Sequence, residues 1–188
     1  MANGSAVGHI PAGVKRFVEV LGRLDRGDLA SLRRSAGRAI GDAHDAMGLF
    51  YRILPSEVAG GRDEEIYFLV SALFGLNDKH HTGDFGTTLL AVRTPANSKG
   101  VDRRMAVLLD SEFGNLDGRL GGGEMAYRLR QCVRLAAGRD VGVDWPRLLA
   151  DLLWWSHPDK RVRKQWARSY YTATGGSASP GLDSGKEE

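Results

Sequence analysis

The sequence predicts an all-α protein, and three observations favour this class. Apolar residues recur at helical spacing through most of the chain, no stretch alternates apolar and polar residues for long, and β-branched residues are few. The hydrophobic fraction of 42% and the charged fraction of 26% are close to those of average globular domains. We therefore expect the 188 residues to form two small helical bundles joined by a short linker.

The N-terminal half contains several helical segments. They cover residues 14–24 and 28–40, the sequence "MGLFYRIL" that ends before Pro55, residues 62–77, and the short "GDFGTTLLAVR". Residues 62–77 are apolar on nearly every side after an acidic first turn, which predicts the buried central helix of this half.

The C-terminal half follows a cluster of Pro, Asn, Ser and Gly at residues 94–100, which predicts the linker. We expect helices near residues 101–112, 124–138, 144–156 and 158–173, with a flexible Gly-rich loop at 114–123. The predicted organisation is an N-terminal bundle at residues 1–97, a C-terminal bundle at 98–173 and a disordered tail at 174–188.

Aromatic and basic residues are concentrated in "VDWPRLLADLLWWSHPDKRVRKQWARSYY", residues 143–171. Asp144 is a natural N-cap, and Pro146 is tolerated in a first helical turn. In the last helix, Val162, Trp166 and Tyr170 share one face at helical spacing, and we interpret that face as core. The cations are predicted to form a continuous outward band made of Lys160, Arg161, Arg163, Lys164 and Arg168.

Charge is unevenly distributed along the chain. Residues 14–40 carry seven basic and three acidic side chains, whereas residues 41–65 carry six acidic and two basic ones. This alternation indicates a basic surface for a polyanion and a separate acidic surface for a protein neighbour. Ordinary solvated helix faces would give the same counts, so the charge pattern alone leaves both interpretations open.

Further basic helix faces are predicted outside the last helix. Arg130 and Arg134 oppose the apolar face of residues 124–138, on the side of Tyr127. The others are Arg34 and Arg38 in residues 28–40, with Arg33 nearer the apolar side, and Arg103 and Arg104 at the start of residues 101–112. Because aromatic residues are not interleaved with these cations, the faces suit backbone phosphates better than base edges.

Motifs of catalysis and metal binding are absent from the sequence. It contains no Walker A, GxGxxG, HExxH, CxxC or GxSxG element. The adjacent His80 and His81 cannot both face one site on a helix, Glu64 and Glu65 are typical helix N-terminal charges, and Cys132 is predicted to be a buried thiol. We expect no enzyme, no cofactor and no metal.

The N-terminus resembles no secretory signal, and no apolar run approaches the ~20 residues that span a bilayer. A cytoplasmic protein without a membrane partner is therefore expected, and the single Cys132 suits a reducing compartment.

The motif "VDWPRLLADLLWW", followed by "HPDKRVRKQWARSYY", resembles the C-terminal signature of the CasB family, the small subunit of the type I-E CRISPR Cascade complex. Other segments are similar to that family in the same order: "ASLRRSAG", "YFLVSALFGL", "GDFGTTLLAV", "DRRMAVLLDS" and "YRLRQCVRLA". The resemblance covers about residues 15–172, and the "GNLDGRLGGG" loop departs from the family's usual short connection.

The resemblance implies a non-catalytic, all-helical subunit of a guide-RNA complex that acts in antiviral defence. In the family, two copies lie end to end and contact the backbone and large subunits, and their basic surface steadies the guide–target heteroduplex and the displaced DNA strand. Guide pairing reads the sequence, so base-reading side chains are not needed. The basic positions that match are Arg33, Arg34, Lys79, Arg103, Arg104, Arg128, Arg130, Lys160, Arg161, Arg163 and Lys164.

The charge pattern and the resemblance lead to three hypotheses about function. The leading hypothesis is a Cascade small subunit that binds guide RNA and both strands of target DNA and so stabilises the R-loop. A free-standing, sequence-independent single-stranded nucleic-acid-binding protein is the alternative, and a protein scaffold using the acidic residues 41–65 is the third. The candidate nucleic-acid-binding residues are Arg33, Arg34, Arg38, Lys79, Arg103, Arg104, Arg128, Arg130, Arg134, Lys160, Arg161, Arg163, Lys164 and Arg168.

Overall fold

The computed structural model describes residues 9–116, 119–120 and 123–175, and within them the regular secondary structure is almost entirely helical. The α-helices are α1 (Ala12–Leu21), α2 (Arg26–Ser35), α3 (His44–Ile53), α4 (Glu64–Phe74), α5 (Phe85–Val92), α6 (Ser98–Asp110), α7 (Gly123–Gly138), α8 (Trp145–Leu153) and α9 (Arg161–Gly175). A 3₁₀ turn covers Ile40–Asp42, and the short strands β1 (Asn115–Leu116) and β2 (Arg119–Leu120) pair antiparallel. The predicted all-α class is confirmed.

Helix α4 is buried, as its apolar sequence predicted for the central helix of the N-terminal half. Every one of its residues is buried, and α2 and α8 pack against it. Gly75 at its C-terminal end permits the close approach of α2, because a Cβ there would lie 2.7 Å from the Leu29 carbonyl oxygen. Any larger residue at this position would push α2 outward.

The "GDFGTT" segment joins α5 to α9. Asp84 caps α5 by accepting a hydrogen bond from the Thr87 amide at 3.1 Å, and its other carboxylate oxygen accepts one from the Ser169 hydroxyl at 2.6 Å. Gly86 lies directly against the Trp166 carbonyl group, so that a Cβ would overlap it. Asp84 therefore caps α5 and binds α9, and Gly86 allows the two helices to approach closely.

The hydrophobic core contains residues from both sides of the predicted boundary at residue 97. Its buried residues form one cluster, in which α1 packs on α8 and α5 packs on α9. The predicted linker contains an ordered turn, since Asn97 accepts a hydrogen bond from the Thr94 amide at 2.7 Å, and α6 begins at the next residue. The division into two bundles stays a prediction.

Several predicted boundaries are wrong. The helix expected at residues 28–40 ends at Ser35, because Gly37 adopts a left-handed conformation with a φ of 91°. Arg38 therefore lies in the following loop and not on a helix face. The loop expected at 114–123 contains the β1–β2 pair, and α9 begins at Arg161, three residues after Pro158.

The predicted tail falls mostly at residues 176–188, which lie outside the described residues. Within the described residues, no helix is long and apolar enough to cross a membrane.

Candidate nucleic-acid interface

Helices α6 and α7 form an open groove lined by arginines. Val101, Met105 and Leu108 on α6 are buried, as are Leu129 and Cys132 on α7, and α6 packs against α7. Because residues three or four apart share one helix face, the residues that flank these buried stripes lie along the rims of the groove. The groove encloses a cavity of about 450 Å³, lined by Arg103, Arg104, Arg128, Tyr127, Gln131 and Cys132 among others.

The three arginines of this groove differ in how they are held. Arg128 donates from Nε and Nη2 to the Glu124 carboxylate, at 3.2 and 3.0 Å, and Arg104 donates to the Gly100 carbonyl oxygen at 3.1 Å. Arg103 is exposed and has no hydrogen-bond or ion-pair partner among the described residues. Among the described residues Arg104 has no carboxylate partner either, so the positive charges of Arg103 and Arg104 remain available to an anion.

A second cavity, of about 470 Å³, continues the groove along the start of α6. It shares Arg104 and Gly100 with the first and adds Lys99 and Arg139. These two cations were missed from the sequence, because Lys99 lay in the predicted linker and Arg139 lay one residue beyond the predicted helix. The tertiary contact between α6 and α7 brings them together.

A third, smaller cavity of about 90 Å³ lies on the other side of α7, where Arg130 meets the loop after α2. It is lined by Arg38, Arg130, Gly37 and Tyr127 among others. A Cβ on Gly37 would lie 2.9 Å from Nη1 of Arg130, so the arginine rests directly on this glycine. The fold thus brings together Arg38 and Arg130, which were predicted to lie in different bundles.

Tyr127 lies between the first and the third cavity and lines both of them. Its side chain is 53% exposed, and the Arg128 guanidinium carbon lies 5.6 Å from the centroid of its ring. The prediction that aromatic residues are not interleaved with the cations is therefore wrong for this groove, because the ring and the arginines meet on one surface.

The cationic band of α9 is confirmed in part. Arg161, Lys164 and Arg168 are exposed on the helix and Lys160 is exposed just before it, where it has a positive φ of 49°. Arg161 pairs with Asp159 at 3.0 Å, while Lys160, Lys164 and Arg168 have no side-chain partner among the described residues. Val162, Trp166 and Tyr170 are buried, as the helical spacing predicted.

Arg163 is an exception, since the prediction that it belongs to the outward band is wrong. Only 7% of the residue is exposed. Its guanidinium lies over the Trp155 ring at 4.9 Å, pairs with Glu112 at 2.5 Å and donates to the Leu109 carbonyl oxygen at 3.3 Å. The C-terminal end of α6 covers this edge of α9, so Arg163 holds two helices together.

Two aromatic residues near this band are exposed. Tyr171 is 41% exposed and, at 100° per residue, lies in the same sector of α9 as Lys164. Trp154 is 58% exposed at the end of α8, where its ring lies 5.4 Å from that of His157. The aromatic side chains of this region are therefore not all core.

The remaining predicted cations are scattered. Arg33 and Arg34 are exposed in the last turn of α2, and Arg134 is exposed on α7. Lys79 forms an ion pair with Asp140 in a loop whose backbone is hydrogen-bonded to the segment before α8. The structure does not bring these four residues into the groove cavities.

Buried polar groups under the surface stabilise the scaffold. Asp151 accepts hydrogen bonds from the Trp166 indole at 2.7 Å and from Arg147 at 2.9 Å, and burial raises its pKa to about 6. Cys132 is buried, as predicted, and this burial raises the pKa of its thiol to about 12. No metal-binding group of three or more His, Cys, Asp or Glu occurs within the described part of the chain.

The fold and its surface define an all-helical protein with arginine-lined grooves. Residues 28–171 match the family described as CRISPR-associated protein Cse2. The chain is 32% identical over 166 residues to the CRISPR-associated protein Cse2 of Thermus thermophilus, covering 85% of this chain and 90% of that protein. The chain therefore belongs to the Cse2 family.

Solved structures agree with this family. The crystal structure of CasB from Thermus thermophilus has a TM-score of 0.66 and 29% identity, covering 85% of this chain and 97% of that chain. A chain of a CRISPR RNA-guided surveillance complex has a TM-score of 0.60 and 20% identity, covering 90% of this chain and 94% of that chain. This second likeness concerns the fold alone. The predicted resemblance to the CasB family is confirmed.

Proposed function

We propose that this chain is the non-catalytic small subunit of a type I-E CRISPR Cascade guide-RNA surveillance complex. Its basic helix faces hold nucleic-acid backbone and stabilise the R-loop, made of the guide–target heteroduplex and the displaced strand, in antiviral defence. The observation that carries the proposal is the open α6–α7 groove, in which Arg103 and Arg104 are exposed and have no carboxylate partner within the part of the chain that the structure describes. Membership of the Cse2 family supports it.

The chemistry of the groove suits phosphates. Arginine guanidinium groups donate several hydrogen bonds in a fixed geometry that fits phosphate oxygens, and they remain charged at any physiological pH. Contacts to phosphates position a nucleic acid without reading its sequence, and guide pairing supplies the sequence specificity. In this function the subunit places positive charge next to the phosphates and does not need to catalyse a reaction.

The proposed partners are guide RNA, both target strands, the Cascade backbone and large subunits, and a second copy of the chain. The acidic residues 41–65 offer a smaller protein-contact surface than their count indicated. Glu64 and Glu65 are buried, and Glu64 accepts a hydrogen bond from the Tyr51 hydroxyl at 2.8 Å. Asp42, Asp45 and Glu57 remain exposed, so only half of the six acidic residues support the scaffold hypothesis.

The experiment is a comparison of guide-loaded complexes prepared with and without this chain. We expect the chain to tighten binding to a matched target duplex and to prolong the open R-loop, and we expect higher salt to reduce that gain. Each phosphate contact makes the slope of the logarithm of the binding constant against the logarithm of the salt concentration more negative, by ~0.9 for a duplex or ~0.7 for a single strand. Failure of the chain to join the complex or to change its affinity would overturn the proposal.

The alternative function, a free-standing single-stranded nucleic-acid-binding protein, gains one observation. Such proteins combine cations with stacking aromatic residues, and Tyr127 and Tyr171 are both exposed beside cations. Tight binding of long single strands by the free chain, together with no incorporation into the complex, would favour this alternative.

A further inference from the structure

We propose that the α6–α7 groove is a single-strand-selective site in which the Tyr127 ring stacks on one unpaired base while Arg103 and Arg104 contact the neighbouring phosphates. This inference rests on the proposed function and deepens it, because it names the form of nucleic acid that the groove takes. The ligand class is a single-stranded nucleic acid with at least one base turned out of its stack.

The position of Tyr127 is the first support. A tyrosine ring is usually packed against other apolar groups, yet this one is 53% exposed at the junction of two arginine-lined cavities. The Arg128 guanidinium lies 5.6 Å from the ring centroid and donates to Glu124, which holds it at the ring. The ring is therefore presented at a fixed place among cations.

The size of the groove is the second support. Its cavity of about 450 Å³ falls within the roughly 300–1,000 Å³ of pockets that hold small ligands, so the groove is large enough for a nucleotide-sized group. A base in a duplex has both faces covered by its neighbours, so only an unpaired base can stack on a protein ring. The arginines therefore attract both paired and unpaired strands, whereas the Tyr127 ring adds a contact that only an unpaired strand can make.

The test measures binding of the full chain to oligonucleotides of equal length: single-stranded DNA, single-stranded RNA and duplex DNA. We expect Tyr127→Ala to weaken single-strand binding by about 5- to 150-fold, the range of one base–aromatic stack, and to leave duplex binding and the salt slope unchanged. Tyr127→Phe keeps the ring and should bind as the wild type does. The DNA and RNA arms tell whether a 2′-hydroxyl matters at the site.

A matched control is Tyr51→Ala, which removes a ring of similar exposure from the acidic segment and should leave all three affinities unchanged. A single 2-aminopurine in the single strand reports stacking directly, and its fluorescence should be quenched by the wild type and by Tyr127→Phe but not by Tyr127→Ala. Equal loss of single-strand and duplex affinity, or no loss, would overturn the inference while leaving phosphate binding intact. Absence of any binding by the wild type, free or in the guide-loaded complex, would overturn both proposals.

Discussion

The α6–α7 groove and the α9 band differ in how they present positive charge. The groove is concave, and its cations come from two helices that face each other, with Arg103 and Arg104 on α6 and Arg128 on α7. The band is convex and lies along one helix, where Lys164 and Arg168 point to solvent. Charges that converge on a cleft raise its potential more than the same charges spread over a rounded surface.

Helix periodicity therefore predicts where the cations lie along each helix, but it does not predict which of them are accessible to a ligand. Arg163 has the spacing of a surface cation, yet the end of α6 covers it, and it stacks on Trp155. Lys99 and Arg139 lie outside the predicted helices and nevertheless face the groove. Whether a cation is accessible to a ligand depends on whether a neighbouring helix covers it.

The greatest change in stability is expected at Arg163, which differs from the other cations of the band because it is buried. We expect Arg163→Glu to lower the free energy of unfolding by about 3–5 kcal/mol, because it buries an unpaired carboxylate beside Glu112 and removes the contact with Trp155. Lys164→Glu, one residue away and exposed, should change it by less than about 0.5 kcal/mol. Urea unfolding followed by tryptophan fluorescence measures both. Equal, small effects would place Arg163 back in the solvated band.

The second expected effect concerns pH and the scaffold beneath the band. Burial raises the pKa of Asp151 to about 6, against about 3.9 for an aspartate in an unfolded chain. Between pH 6 and pH 4 the folded protein therefore binds a proton that the unfolded chain does not, so this residue favours folding increasingly as pH falls, by up to about 3 kcal/mol.

The measurement for Asp151 is urea unfolding at several pH values between 4 and 7, for the wild type and for Asp151→Asn. The asparagine keeps an acceptor for the Trp166 indole but cannot titrate. We expect the stability of the wild type relative to the variant to rise as pH falls through this window. A relative stability that falls instead would mean that the ion pair with Arg147 keeps Asp151 ionised down to pH 4.

The smallest expected effect compares the two surfaces directly. Replacing Arg103 and Arg104 with Glu should weaken nucleic-acid binding by about 10-fold or more at low salt and reduce the salt slope by ~1.4 for a single strand. Replacing Lys164 and Arg168 should weaken binding less, because a convex surface holds fewer phosphates at once. Both pairs are exposed, so circular dichroism should show unchanged folding. A larger loss from the α9 pair would make the band the principal contact.

Much of the fold could be predicted because burial patterns are local. Helical spacing and capping preferences predicted α4, which is apolar on nearly every side after its acidic first turn, and the Asp144 cap with Pro146 in the first turn of α8. They also predicted the buried face of Val162, Trp166 and Tyr170 on α9. The end of α2 was misplaced because the left-handed Gly37 terminates the helix before the apolar spacing does.

The candidate site was predicted residue by residue but not as a surface. Arg103, Arg104, Arg128, Arg130 and Arg38 were all named, yet nothing in their spacing indicated that one groove and its neighbouring cavities would collect them. Tyr127 was placed on the polar side of its helix, but its meeting with arginines of α6 depends on a contact between residues far apart in sequence. Such contacts are set by the way helices pack.

Spacing along the chain was sufficient to predict the all-helical class, the CasB-like order of segments and the excess of cations on several helix faces. These features depend on spacing within single helices, which the backbone geometry fixes. Only the tertiary structure decided that Arg163 is withdrawn into the core while Arg103 and Arg104 line an open groove with Tyr127. The physical reason is that exposure depends on which neighbouring helix covers a residue, and that neighbour lies tens of residues away along the chain.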